Sequence, residues 1–331
     1  MGRSAVVAGL GAWTPPRVVT NDMLAAELDT SDEWIRTRTG IDRRHVVDPG
    51  TSTGHLATEA GRRALESAGT ARVDLVVLAT STPDRPCPAT APVVAARLGL
   101  AGVGAFDVAA VCTGFVYALA TAAGLIGTSV ADSVLVIGAD TFSTITDPAD
   151  RTTRVVFGDG AGAVVLRAGD DEQPGALRGF DLGSDGNGVD LITVAAGGSE
   201  HREADADGWF RMAGAQVFAQ AVRRMSESVR TSLTRVGWTG DDVDLVVPHQ
   251  ANVRILDACA RDLGIPTERV AKNIDRVGNT VAGSIPLALA DAATRGVLKP
   301  DARVVLTGFG GGLTWGSTAL TWPDITAAYD D

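Results

Sequence analysis

The chain has 331 residues, 45% of them hydrophobic and 21% charged, with a formal net charge of −11. That length and composition describe a globular protein with ample core, built as one large domain or two halves. The acidic balance excludes a general nucleic-acid binder, because no strong cationic field is present to meet phosphates.

The N-terminus passes straight into strand-like sequence and has no apolar run of signal-peptide type. An amphipathic helix is predicted over 59–69, then a strand at Val73–Val77, then a helix ending at Leu98-Gly99-Leu100. From Val108 to Ala131 no residue is charged, which is long enough for a membrane span. Cys112, Thr113, Thr121, Thr128, Ser129 and several glycines interrupt it, so a strand end followed by a buried helix is predicted instead. A strand follows at Ser133–Gly138. Phe157-Gly-Asp-Gly-Ala-Gly-Ala163 has the look of a phosphate loop but lacks the Gly-Lys-Ser/Thr ending, and close backbone packing is expected there. The polar stretch from Gly169 to Gly208, with its acidic run Glu200 to Asp207 and His201, reads as a surface loop between halves, with a substrate-lining loop as the alternative. A helix over 221–237, a strand at Val243–Val247, a helix over 256–263 carrying Cys259, and a strand at Arg303–Gly308 complete the pattern.

The chain repeats itself once. Val73-Asp-Leu-Val-Val77 recurs as Val243-Asp-Leu-Val-Val247, and Ser133-Val-Leu-Val-Ile-Gly138 is echoed by Arg303-Val-Val-Leu-Thr-Gly308. Leu98-Gly-Leu100 is matched by Leu263-Gly-Ile265 in the same order. Four matches in register, counting the helix before each Val-Asp-Leu-Val-Val strand, indicate duplication of one unit. Short apolar strands alternating with helices predict an α/β fold with buried sheets. The halves are drawn at 1–170 and 171–331.

Three residues stand out chemically. Cys112 follows a strand and precedes a helix, where unpaired N–H groups favour thiolate over thiol. His249, in Val247-Pro-His-Gln250, is the one histidine of four that leaves an apolar strand directly. Asn279, in Gly278-Asn-Thr280, is expected to hold the place in the second half that Cys112 holds in the first. A thiol, an imidazole and an amide suit thioester chemistry: one carries the acyl group, the others stabilise developing negative charge. The three cysteines, Cys87, Cys112 and Cys259, are too widely spaced for a disulfide framework or a zinc site. A reducing cytoplasm is therefore the expected compartment, with no metal and no membrane or nucleic-acid partner.

The chain resembles the β-ketoacyl-acyl carrier protein synthase III family of thiolase-superfamily condensing enzymes over nearly its whole length. Ser31-Asp-Glu-Trp-Ile35, Thr37-Arg-Thr-Gly-Ile41, Phe157–Ala163, Val247-Pro-His-Gln-Ala-Asn252, Gly278-Asn-Thr280 and Gly308-Phe-Gly-Gly-Gly-Leu-Thr-Trp-Gly316 carry the resemblance. It implies a thiolase-like five-layer αβαβα sandwich, a homodimer, and decarboxylative condensation of an acyl-CoA primer with malonyl-acyl carrier protein, without a cofactor. Cys112 would be the acylated nucleophile, with the Cys112 and Gly311 amides as oxyanion hole. His249 and Asn279 would hold the malonyl thioester oxygen. Trp34, Arg38, Arg151, Phe218 and Asn252 would line the coenzyme A and pantetheine tunnel, Cys87 and Phe157 the acyl pocket, and Arg254 and Arg261 would dock the carrier protein. A small Cys87, reaching across the dimer, implies room for propionyl, branched or somewhat longer primers. Thr113 and Thr152 depart from the family's usual Ala or Ser and Gly, and Ala219 replaces a basic docking residue. A non-condensing transfer from Cys112 to an alcohol, amine or carrier protein is the alternative activity.

Overall fold

A computed structural model describes residues 2–200 and 208–329. The chain opens with β1 (Arg3–Trp13), then an antiparallel pair, β2 (Val18–Thr20) and β3 (Arg43–His45), which brackets α1 (Asn21–Ala25) and α2 (Asp32–Thr39). Next come α3 (Thr53–Ser67), β4 (Leu75–Ala79), α4 (Ala91–Arg97), β5 (Gly104–Val108), α5 (Gly114–Gly127), β6 (Ser133–Asp140) and β7 (Gly160–Asp170). These strands form one sheet in the order β1-β7-β6-β4-β5.

The stretch expected as a surface loop is largely structured. It contains β8 (Arg178–Ser184), which joins a second sheet, and β9 (Ile192–Val194), which pairs with β10 (Phe210–Met212). Polar and glycine residues hid these strands because one face of each is solvated, so no continuous apolar run marks them. The acidic residues 201–207, His201 among them, lie outside the described residues. Then follow α6 (Gly214–Val236), β11 (Leu245–Pro248), α7 (Val253–Leu263), α8 (Ile274–Val277), α9 (Ser284–Thr294), β12 (Arg303–Gly310) and β13 (Thr314–Thr321). The last strand, β14 (Ala327–Ala328), crosses back to pair with β1.

The duplication is visible in the sheets. The second runs β8-β13-β12-β11, and Val270 bridges Val246 in parallel where β5 sits in the first. Between the sheets lie α5 and α9, both without a charged face and rich in Ala and Leu because both sides are largely buried. Helix α3 covers the outer face of the first sheet and α6 that of the second. The layers are therefore helix, sheet, helix, sheet, helix, as a thiolase-like sandwich requires. No helix among the described residues is long and apolar enough to cross a membrane.

The glycine-rich segment Phe157–Ala163 serves packing between the halves. A Cβ at Gly158 would lie 2.3 Å from the Val277 carbonyl oxygen, so only glycine lets the two backbones meet. Asp159 is buried there and accepts hydrogen bonds from the Val47 and Ser143 amides and the Ser143 hydroxyl, at 2.6–2.9 Å.

Candidate active site

Strand β5 ends at Val108 and a 3-10 turn, Val111–Thr113, carries Cys112 before α5 begins. Val111 has φ 46°, a left-handed conformation that a β-branched residue rarely adopts. Such strain costs about 1–3 kcal/mol and persists only where surrounding packing enforces it. The second half repeats the device: the 3-10 turn Val281–Gly283 precedes α9, and Val281 has φ 51°. The structural twin of Cys112 is therefore Ala282, which corrects the expectation that Asn279 holds that place. Asn279 stands three residues earlier, where its backbone bridges Phe157.

Cys112, His249 and Asn279 line one cavity of about 570 Å³. All three are buried: Cys112 is 8% exposed, His249 1% and Asn279 4%. Strand β11 delivers His249, whose amide donates to the Thr307 carbonyl at 2.7 Å. Its Nδ1 lies 2.6 Å from Ser284 Oγ. Asn279 is fixed by its backbone, which donates to the Val156 carbonyl and accepts from the Gly158 amide. Its Oδ1 accepts from the Val281 amide at 3.0 Å, which leaves Nδ2 as the donor available to a ligand.

Burial governs the charge states. It pushes the His249 pKa down to about 3, so the imidazole is neutral at physiological pH. Burial, reinforced by the carboxylate of Asp140, pushes the Cys112 thiol well above the usual range. Burial therefore opposes the thiolate that a place just before α5, which begins two residues later at Gly114, favours.

At the cavity mouth, Ser31 caps α2 by accepting from the Trp34 amide at 3.2 Å, a contact worth about 1 kcal/mol. This sets the Trp34 ring, over which lie the guanidiniums of Arg38 at 5.1 Å and Arg151 at 5.3 Å. Trp34, Arg38, Phe218, Asn252 and Arg254 line the cavity, and Arg254 lies over Phe218 at 5.9 Å. Asn252 also caps α7, its Oδ1 accepting from the Arg254 amide while its Nδ2 donates to the Arg38 carbonyl.

Other expected residues stand outside this lining. Arg151 is beside the mouth, donating to the Asp29 carbonyl at 2.6 Å. Arg261, in the last turn of α7, is exposed. Cys87 is exposed and does not reach the cavity of its own chain. Gly310, the residue before Gly311, packs directly against the nucleophile: a Cβ there would be 2.8 Å from the Cys112 amide nitrogen.

Phe157, expected in the acyl pocket, lines the cavity, and several other lining residues escaped the sequence reading. Phe142 and Phe210 cluster with Phe157, ring centroids 4.6–5.0 Å apart. Ile192 comes from β9, hidden in the supposed loop, and Met212 from β10, which follows it. Thr113, the departure beside the nucleophile, donates to the Thr314 carbonyl at 3.1 Å and pairs with its hydroxyl. It thereby ties the Cys112 turn to the glycine segment after β12.

Two family models match the chain: 3-oxoacyl-[acyl-carrier-protein (ACP)] synthase III over residues 106–186, and its C-terminal region over 233–322. A β-ketoacyl-[acyl-carrier-protein] synthase III from Pseudomonas aeruginosa is 59% identical over 331 residues, the whole of both chains. Synthase III 5 of Streptomyces coelicolor is also 59% identical, covering 99% of this chain and 100% of its own. A crystal structure of the 3-oxoacyl-(acyl carrier protein) synthase III of Pseudomonas aeruginosa superposes with a TM-score of 0.94 at 58% identity, covering 98% of this chain and 100% of that one. The priming β-ketosynthase of the R1128 polyketide pathway superposes with a TM-score of 0.92 at 34% identity, covering 98% and 97%.

Proposed function

The chain belongs to the β-ketoacyl-acyl carrier protein synthase III family, and from that premise we propose how its own residues divide the work. The reaction is condensation of an acyl-CoA primer with malonyl-acyl carrier protein, which initiates a fatty acid or polyketide chain. The observation that carries the assignment is the meeting of a thiol, a neutral imidazole and a fixed amide in one cavity.

Acyl-CoA enters past Trp34, with Arg38 and Arg151 placed to meet its phosphates and Phe218 and Asn252 flanking the pantetheine arm. Cys112 Sγ attacks the thioester carbonyl; the bond to the coenzyme A sulfur breaks, and that sulfur takes the proton the thiol gives up. Because the resting group is a buried thiol, proton loss accompanies attack. Negative charge on the carbonyl oxygen is held by backbone amides of the Cys112 turn and the Gly310–Gly311 segment.

Coenzyme A departs and malonyl-acyl carrier protein uses the same tunnel. Arg254 and Arg261 offer positive charge to an acidic carrier, which steers docking even on an acidic enzyme. The carboxylate leaves as CO2 and its bonding pair passes to an enolate, whose oxygen accepts from His249 and from Asn279 Nδ2. A neutral imidazole suits this role, since it donates without needing to titrate. The enolate carbon attacks the acyl carbon, the bond to Sγ breaks, and the thiolate regains a proton from solvent. Two half-reactions through one covalent intermediate imply ping-pong kinetics. Decarboxylation supplies the driving force, so the scheme calls for no metal or redox cofactor.

The enzyme works in the cytoplasm as a homodimer, in which Cys87 reaches the acyl end of the other protomer's cavity. Its small side chain admits propionyl or branched primers, and the cluster of Phe142, Phe157 and Phe210 sets the upper bound on length. Intact-mass analysis after incubation with a panel of acyl-CoAs, then with malonyl-carrier protein, tests the whole scheme. A Cys112 adduct that disappears as β-ketoacyl-carrier protein appears is the expected result. An adduct that persists beside a competent carrier points to non-condensing acyl transfer, and a strict acetyl preference removes the role given to Cys87.

A further inference from the structure

Ser284 opens α9, five residues beyond Asn279, and is 1% exposed. Its Oγ lies 2.6 Å from His249 Nδ1 and accepts from the Gln250 amide at 3.4 Å. Gln250 is itself locked: its Nε2 donates to the Pro248 and Ala271 carbonyls, and its Oε1 accepts from the Asn273 amide. The oxygen therefore approaches His249 from a rigid, fully buried frame.

We propose that Ser284 sets the tautomer of His249, its hydroxyl donating to Nδ1 so that Nε2 carries the ring proton into the cavity. A hydroxyl has one hydrogen and two lone pairs. Among the described residues, Nδ1 is the acceptor its hydrogen reaches, while the Gln250 amide occupies a lone pair. With the proton on Nδ1 instead, two N–H groups would converge on the oxygen and the hydroxyl hydrogen would have no acceptor in a buried site. Buried donors are seldom left so. The ring nitrogen's partner decides which tautomer is present, as it does wherever a histidine works in a site.

This rests on the assignment of His249 to the enolate oxygen and adds a consequence. With Nε2 protonated and the ring neutral, His249 can donate to a thioester oxygen but cannot take the Cys112 proton. Ser284 is thus a positioning residue for the decarboxylation step and not for loading.

The test uses full-length enzyme labelled with 15N-histidine. Long-range proton–nitrogen spectra distinguish the two ring nitrogens, and the His249 signals are those missing from His249→Gln. The expected wild-type pattern has Nδ1 unprotonated and Nε2 protonated. Ser284→Ala should average the tautomers and slow malonyl-carrier decarboxylation by about 10- to 100-fold, the scale of a misplaced group, with a much smaller effect on Cys112 loading. Ser284→Thr, which keeps the hydroxyl, should restore both the spectrum and the rate. A protonated Nδ1 in the wild type overturns the proposal, as does an unchanged tautomer in Ser284→Ala; the wild-type spectrum decides even where the alanine variant does not fold. Wild-type enzyme that shows the expected tautomer but never decarboxylates malonyl-carrier protein would sink the functional assignment and leave the tautomer intact.

Discussion

Two turns in this molecule are built alike and put to different use. The Cys112 turn in the first half and the Ala282 turn in the second share a strained valine, a 3-10 geometry and a following buried helix. Each packs against the matching strand of the other half: Gly308 and Gly310 of β12 face Cys112, as Gly138 of β6 faces Ala282. Beyond the turn residues themselves, the symmetry breaks at the end of the facing strand. Where β12 ends in Gly310, β6 ends in Asp140, whose carboxylate accepts from the Ala282 amide at 3.0 Å. That carboxylate also takes the Ser81 and Thr82 amides and the Thr80 and Thr82 hydroxyls. In the second half an internal carboxylate fills the place that Gly310 leaves open in the first, the place the proposed scheme gives to the substrate's oxyanion. Duplication copied the turn; Cys112 against Ala282 and Gly310 against Asp140 set the two copies apart.

Moving that side chain breaks the comparison most directly. Gly310→Asp should close the Cys112 turn as Asp140 closes its twin. Since a Cβ alone would already sit 2.8 Å from the Cys112 amide nitrogen, acyl loading followed by intact mass should fall by about 1000-fold or more, the upper scale for loss of an oxyanion donor. Loading at more than a tenth of the native rate would show that this turn is not the anion site.

The donors are next. His249→Gln and Asn279→Ala should each lower condensation by about 100- to 1000-fold while Cys112 still accepts an acyl group, so the adduct accumulates. Loss of loading in step with condensation would place both residues in the first half-reaction instead.

Asp140→Asn sharpens the contrast from the closed side. An amide turned toward N–H donors leaves at least one of them unsatisfied, and denaturant unfolding should show a loss of about 1–3 kcal/mol. The same variant removes a negative charge that helps hold the Cys112 thiol up. Alkylation of Cys112 by iodoacetamide at pH 8 should therefore become faster than in the wild type. A slower or unchanged rate would mean that the carboxylate is not felt at the thiol.

The last contrast is in stability against pH. His249 is held neutral, its pKa lowered from 6.5 to about 3. Between those values the unfolded chain binds a proton that the folded chain does not, so stability falls as pH drops through this window. Asp140, raised to about 6 by burial, works in the opposite sense, so the histidine is isolated by difference. Wild type should lose stability relative to His249→Gln between pH 6.5 and 4, and parallel curves would contradict a buried neutral imidazole.

Much of the fold was legible because it is local and repeated. Val73–Val77 and Val243–Val247 announce β4 and β11, displaced by two residues, since apolar runs mark buried strands better than their ends. Strands β8 and β9 were missed for the converse reason: β8 is half-solvated and interrupted by glycine, and β9 is only three residues long.

Chemistry type and place were also written in the chain. Cys112, His249 and Asn279 could be chosen because each sits where an element ends among small residues, and function in α/β folds gathers at such ends. Only the tertiary structure decided how those groups behave. The thiol's raised pKa, the neutral imidazole, the contact of Ser284 with Nδ1 and the closure of one twin turn by Asp140 all arise from segments far apart in sequence. Periodicity and capping act over a few residues and can be read along a line. Desolvation and hydrogen-bond satisfaction depend on what surrounds a group in three dimensions, and here those surroundings come from segments far apart in the chain, for the two twin turns from the other half of the molecule.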